Sequence, residues 1–258
     1  MYLGLTGRSV LVTGSYRGTG QIMARTFLDE GADVWVHGLE PGQAEAAVEA
    51  LGGGRPVTGD IRTEAGSDAL IEALAGQTPD VLVNNYGAVE RGRWVSADSA
   101  AWIAAYQLNV LSAARLINYC LPAMKSMDRA RIINLGTVGS TRPNAANPHY
   151  YAAKGALATM TVSLAKEVAG TNIRVNLVSP GLILTPEVQA AYMQTGARKG
   201  WGDTWEEVEA HVAKDIPIGR IVTREEVAAL VAFLASPLAD GIHGQNIRVD
   251  GGSLDIVT

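Results

Sequence analysis

The chain has 258 residues, 47% of them hydrophobic and 18% charged, and a formal net charge of −5. That acidity argues against a nucleic-acid surface, and no Lys/Arg run is dense enough to suggest an anionic membrane. The single cysteine, Cys120, excludes an internal disulfide and fits a reducing cytoplasm; no signal-like leader is seen, and no window reaches the ~18 apolar residues of a membrane span.

The predicted elements alternate. Ser9–Thr13 is a buried strand, followed by a helix over Gly20–Glu30 whose Ile22, Ala24, Phe27 and Leu28 follow helical spacing, with Gly31 as its C-cap. Asp33–His37 is a second strand, Gln43–Leu51 an alanine-rich helix stopped by Gly52-Gly53-Gly54, and Arg55–Thr58 a third strand. Thr63 is placed to cap a helix over Thr63–Ala75, and Val81–Asn84 is a fourth strand. Ala100–Met127 reads as one long helix with an irregular start, Arg131–Leu135 as a strand, Tyr150–Ala169 as a helix and Arg174–Val178 as a strand. A helix over Glu225–Ala235 and a strand over Asn246–Val249 follow. Strands separated by helices require right-handed crossovers. The expectation is therefore an α/β, Rossmann-like, doubly wound parallel sheet of about seven strands, helices on both faces, in a single domain over residues 1–258. Pro186–Ile216 breaks the rhythm and reads as a helical substrate lid around 186–216. Its Tyr192, Met193, Trp201 and Trp205, together with Trp94, either line an apolar pocket or pack against the core or a neighbouring subunit.

Two patterns carry chemistry. Thr13-Gly14-Ser15-Tyr16-Arg17-Gly18-Thr19-Gly20 falls between the first strand and the first helix, where backbone N–H groups and a helix N-terminus meet a dinucleotide pyrophosphate. Gly14 permits the tight turn, Gly18 lets the backbone approach phosphate, and Gly20 lets the helix pack on the strand. Tyr150 and Lys154, four residues apart, share one helix face. An ammonium beside a phenol stabilises the phenolate, so Tyr150 is expected to exchange its proton well below the reference pKa of ~10. A carbonyl–alcohol redox step needs such a positioned acid–base.

Further motifs follow in order: Asn84-Asn85-Tyr86-Gly87 after the fourth strand, Pro180-Gly181 after the sixth, then Pro217, Gly219-Arg220, Gly244-Gln245 and Val249-Asp250-Gly251-Gly252. Over nearly its full length the chain resembles the short-chain dehydrogenase/reductase family. The resemblance implies an oxidoreductase that moves hydride between NADP(H) or NAD(H) and a carbonyl or secondary alcohol of a small molecule. It places the acid–base on Tyr150, the ribose-holding lysine on Lys154 and a proton-relay amide on Asn109. The substrate-oxygen donor falls on Thr137, where the family usually has Ser, with Ser140 as a fallback. Implied cofactor contacts are Gly14, Ser15, Arg17, Gly18, Thr19 and Gly20; His37, Gly38 and Leu39; Asp60 and Ile61; Asn85, Tyr86 and Gly87; Pro180, Gly181, Ile183 and Thr185; and Tyr150 with Lys154. No metal is implied. The acidic residue usual in NAD-preferring members is absent at Gly38, and Arg17, with His37 as a second donor, leans the choice towards NADP(H); Glu40 is the counter-argument. Tyr86 stands where Ala is usual, and His149 reads as a pocket-wall or surface residue. Family habit implies a homotetramer built on the Ala100–Leu121 and Tyr150–Ala169 segments, with no nucleic-acid or membrane partner. The alternative is a non-catalytic NAD(P)-binding sensor or scaffold on the same fold, supported by the Thr137 and Tyr86 departures alone.

Overall fold

A computed structural model of the protein describes residues 2–257. The chain runs β1 (Ser9–Val12), α1 (Gly18–Asp29), β2 (Asp33–Gly38), α2 (Gln43–Leu51), β3 (Arg55–Thr58), α3 (Glu64–Ala73) and β4 (Val81–Asn84). It continues through α4 (Ser99–Tyr106), α5 (Ser112–Met124), β5 (Ala130–Leu135), α6 (Pro148–Glu167), β6 (Ile173–Pro180) and β7 (Ile183–Leu184). The last elements are α7 (Pro186–Lys199), α8 (Trp205–Val212), β8 (Val222–Thr223), α9 (Arg224–Ala235) and β9 (Asn246–Val249). Seven strands form one sheet in the order β3-β2-β1-β4-β5-β6-β9, and β7 pairs with β8 separately. All pairings are parallel, which is the doubly wound α/β arrangement expected.

A parallel sheet covered on both faces needs strands that are apolar at every position, and Val10-Leu11-Val12 and Val81-Leu82-Val83 are buried throughout. Alternate residues feed two cores. Val10, Val12, Val34 and Val83 pack with Met23, Phe27, Val227 and Val231 on the α1/α9 side. Leu11, Leu82, Ile132 and Val175 pack with Leu70, Leu116 and Leu157 on the α3/α5/α6 side. Cys120 lies in this second core, where burial pushes its thiol up to about 12, so it acts as a small hydrophobe.

The sequence differs from the structure at informative places. The long helix expected over Ala100–Met127 is broken into α4 and α5 by one wide turn, Gln107–Leu111, of π-helical form. Asn109 sits in that turn, its side-chain Nδ2 donating to Ala105 O at 3.1 Å and Ala88 O at 3.2 Å. Helix α6 begins at Pro148, because proline is well suited to the first helical turn, and Asn147 enters it at φ +53°. The 186–216 segment is two helices, and a capping box between Thr204 and Glu207 starts the second. Trp201 stacks on His211 at 5.3 Å, with Lys199 4.7 Å above the ring. Of the two readings of its aromatics, Trp201 therefore takes packing within the segment. Trp94 is largely exposed and lies against Trp102, with centroids 5.7 Å apart.

Candidate active site

Strand order reverses between β1 and β4, and the crevice beyond their carboxyl ends is where open α/β sheets take ligands. A cleft of about 400 Å³ opens there. Its lining includes the expected Gly14, Arg17, Gly18, Thr19, Gly20, Leu39, Asn85, Tyr86 and Gly87. It also includes Tyr16, inside the glycine motif, and Ala88, just after Gly87, while Gln43 and Arg62 come from separate segments with no local signature and Glu40 borders the cleft as anticipated.

The loop is shaped for close backbone approach. Gly14 and Gly18 adopt φ +64° and +62°, left-handed values that L side chains rarely hold. A Cβ at Gly20 would lie 2.5 Å from Asn85 Nδ2 and 2.6 Å from Gly14 O, so only glycine lets α1 enter there. No side chain caps the start of α1, so its N–H groups remain available to an anion. These features fit a dinucleotide pyrophosphate. Asn85 Nδ2 donates to Thr13 O at 2.8 Å, and the Tyr86 backbone N–H to Thr13 Oγ1 at 2.9 Å, tying β4 to the loop. Burial pushes the Tyr86 phenol up to about 12.

Gly38 carries no carboxylate for a packing reason: a Cβ there would sit 2.8 Å from Gln43 Cβ and 2.9 Å from Ala44 N. The Gln43 side chain takes the Leu39 N–H at 2.9 Å, closing the turn into α2. Arg17 lies over the Tyr16 ring at 5.4 Å. Asp60 forms a two-point pair with Arg62 at 2.7 and 2.8 Å, so its carboxylate is engaged within its own turn.

Three of the expected cofactor contacts face elsewhere. His37 is fully buried and both its ring nitrogens bond protein groups, so it cannot serve as a second phosphate donor. The Ser15 hydroxyl turns under the loop to donate to Val12 O at 2.7 Å. Ile61 is a core residue whose N–H is bonded to Gly59 O at 3.0 Å. At the other end of the cleft, Gly181 N–H donates to Val249 O at 2.9 Å, and Ile183 lies on β7 beside Val222. Pro180 ends β6, and Thr185 caps α7 by accepting the Val188 N–H at 3.2 Å.

The catalytic candidates come together beyond β4 and β5. The Lys154 ammonium is buried and donates to Leu135 O at 2.8 Å. A Cβ at Gly87 would be 2.7 Å from Asn109 Oδ1 and 2.9 Å from Lys154 Nζ, so these three residues meet. The Thr137 hydroxyl accepts the Gly139 N–H at 3.2 Å and lies near enough to the Tyr150 phenol to favour its ionised form. Ser140 is folded back, donating to Thr137 O at 2.7 Å. The acidified tyrosine that the Tyr–Lys spacing suggests is not what the structure holds. Burial pushes Tyr150 up to about 12, aided by Tyr151 and opposed by the nearby Thr137 hydroxyl. Burial alone lowers Lys154 to about 8, and its ammonium is spent on a backbone carbonyl rather than on the phenol. Tyr151 OH accepts from Asn144 Nδ2 at 2.9 Å, and its ring leaves no room for a side chain at Gly139. His149 is buried against Trp102, ring centroids 6.2 Å apart, and beneath Gly92.

A phosphate cradle at the switch point, facing a Thr–Tyr–Lys–Asn cluster, defines a class: dinucleotide-dependent oxidoreductases. A family profile described as "Enoyl-(Acyl carrier protein) reductase" matches residues 14–253. The uncharacterised oxidoreductase YvaG of Bacillus subtilis is 32% identical, over 98% of this chain and 98% of its own length. A 3-oxoacyl-[acyl-carrier-protein] reductase of Escherichia coli is 31% identical over 95% of this chain and 97% of its own. The crystal structure of L-sorbose reductase from Gluconobacter frateurii, complexed with NADPH and L-sorbose, superimposes with a TM-score of 0.92 at 31% identity, covering all of both chains. The chain belongs to the short-chain dehydrogenase/reductase family. Among the described residues no helix is long and apolar enough to cross a membrane.

Proposed function

We propose that the protein is an NADP(H)-dependent reductase or dehydrogenase of a small polar ketone or secondary alcohol, with the ketose–polyol couple as the substrate class to test first. The nearness of Thr137 to Tyr150, and of Lys154 and Asn109 to Gly87 on the cleft wall, carries this reading. The cofactor, when bound, supplies or accepts the hydride at a carbon centre. The Gly14–Gly20 loop would hold its pyrophosphate and Lys154 its nicotinamide ribose, with Thr185 and the Ile183 backbone at its carboxamide.

The rest is proton handling by this chain. The Thr137 and Tyr150 hydroxyls would grip the substrate oxygen. In reduction Tyr150, kept protonated by its burial, donates the proton from its phenol oxygen as the alkoxide forms. Lys154 stands on the same helix, where its ammonium, together with the positive charge a nicotinamide would gain on giving up hydride, would favour the tyrosinate left behind. Asn109 Oδ1 is buried with no partner and would hold a water that returns the proton. Oxidation reverses each step.

Arg17 on the cleft wall and the closed Gly38 position favour NADP(H) over NAD(H). The full-length likeness to L-sorbose reductase favours a sugar-like ketone. Segment 186–216 holds more Asp and Glu than Lys and Arg, which argues against docking an acidic acyl carrier. Exposed Ile103, Tyr106 and Val162 on the α4 and α6 segments support assembly through those helices, for which a homotetramer is proposed and sedimentation is the check. The deciding experiment follows NADPH consumption with L-sorbose, other ketoses and an acetoacetyl thioester, beside Tyr150→Phe. Turnover of a ketose that Tyr150→Phe abolishes supports the proposal. Tight NADPH binding with no carbonyl turned over would instead establish the sensor reading.

A further inference from the structure

Ladder pairing between β1 and β2 stops at Val12↔Val36. His37 is the next residue, and it continues the connection by other means. Its backbone N–H donates to Ser15 Oγ at 2.9 Å, its carbonyl accepts the Tyr16 N–H at 3.1 Å, and its ring Nδ1 accepts the Gly14 N–H at 2.8 Å. Three consecutive residues of the phosphate loop are thus tied to one side chain and backbone. The far ring nitrogen, Nε2, reaches Gly59 O at 2.8 Å, anchoring the ring to the turn after β3. Because Nδ1 accepts from an N–H, the ring must be neutral with its proton on Nε2, where it donates to the Gly59 carbonyl. Burial favours that same neutral form, lowering the group to about 4 against the opposing influence of the Gly59 bond and of Asp60, itself paired to Arg62.

We propose that His37 is the positioning residue of the phosphate cradle: by taking the Gly14 N–H on Nδ1 it turns the loop's remaining N–H groups towards the cleft, and it sets dinucleotide affinity without touching the dinucleotide. Among the described residues no other polar side chain accepts the Gly14 N–H, and removing the acceptor leaves a buried donor unpaired in the turn where phosphate must approach. The inference rests on the reading that this cleft binds NADP(H).

The test is fluorescence titration with NADPH of wild type, His37→Asn and His37→Leu, with kcat and KM for NADPH alongside. Asn can present Oδ1 near the place of Nδ1, whereas Leu offers no acceptor. The Leu variant is expected to bind NADPH roughly tenfold or more weakly, the scale of one unpaired buried donor. Its KM for NADPH should rise while kcat at saturating cofactor stays unchanged, and His37→Asn should recover most of the affinity. A folded His37→Leu that binds as wild type overturns the proposal. A fall in kcat alone, with NADPH KM unmoved, overturns it equally. Should the Leu variant fail to fold, ring nitrogen shifts of the wild-type protein by NMR decide: a neutral ring protonated at Nε2 near neutral pH is required, and a ring protonated at Nδ1 or carrying both protons overturns it. If wild-type protein binds neither NADPH nor NADH, the cofactor reading fails, and it does so visibly before any variant is compared.

Discussion

Around the glycine loop the polar side chains are satisfied by the protein itself: both ring nitrogens of His37, the Ser15 hydroxyl and the Asn85 amide all have partners. Around Tyr150 the opposite holds. Asn109 Oδ1, both ring nitrogens of His149 and Ser179 Oγ are buried without one. Each such group costs about 1–3 kcal/mol if nothing completes it. The glycine loop is maintained by internal bonds, whereas the region around Tyr150 leaves buried polar groups unmet, which the proposed function assigns to water and substrate. On the proposed function, binding energy and chemistry are divided between these two regions.

The sharpest cut between them is Tyr150→Phe. Loss of the positioned acid is expected to lower turnover by about 10²–10⁴-fold. NADPH affinity should be unchanged, because no bond of the glycine loop passes through the phenol. A parallel loss of NADPH binding in a titration would break the division.

Lys154→Met probes what the catalytic end costs. The buried lysine has its pKa lowered to about 8 from 10.5, so folding favours its neutral form. The stability it contributes is complete only above pH 10.5 and is lost as pH falls through 8, so at neutral pH the ammonium is a liability of at most about 3 kcal/mol. The cofactor-free Met variant should therefore be inactive yet more stable than wild type by about 1–3 kcal/mol at pH 7, the lost bond to Leu135 O offsetting part of the gain. Denaturant unfolding at pH 7 and again near pH 10 should show the advantage shrinking as pH rises. A variant less stable at pH 7 would show that Lys154 holds the fold together instead.

Gly20→Ala strikes the other end. With a Cβ meeting Asn85 Nδ2 and Gly14 O, α1 must shift away from the loop, an overpacking cost of about 1–3 kcal/mol. Both stability and NADPH affinity should fall, and the same variant should leave kcat at saturating cofactor near its wild-type value. Unaltered NADPH affinity in a folded Gly20→Ala protein would mean that the cradle is not where the pyrophosphate sits.

Local motifs were legible in the sequence because their chemistry is contiguous. Gly14-Ser15-Tyr16-Arg17-Gly18-Thr19-Gly20 declares a tight turn into a helix, and the strand–helix rhythm declares the parallel sheet. What was illegible depends on segments meeting in space. His37 looked like a donor at a strand end. Only its position beside Gly14, 23 residues away, shows its ring closed over by the loop. Arg62, from a turn, and Gln43, from the start of α2, reach the cleft from segments whose sequence says nothing about the distance to Tyr86. The Tyr150–Lys154 spacing gave the shared face correctly but not the balance of forces on it, since burial and the Leu135 carbonyl decide where the charge sits.

The 186–212 helices offer the smallest and most local test. Their helical content was readable from the sequence, but the partner of Trp201 was not, because His211 lies across the turn between two helices. Trp201→Ala removes a half-buried ring stacked on the exposed His211 and the Lys199 contact above it, together worth about 1 kcal/mol. Gly196 still packs against Val208, so α7 and α8 should stay docked, with faster opening. Amide hydrogen exchange is expected to rise across 186–212 and to leave the glycine loop at its wild-type protection, since stability is local where packing is local. Equal acceleration in both places would mean that this segment and the glycine loop unfold as one unit.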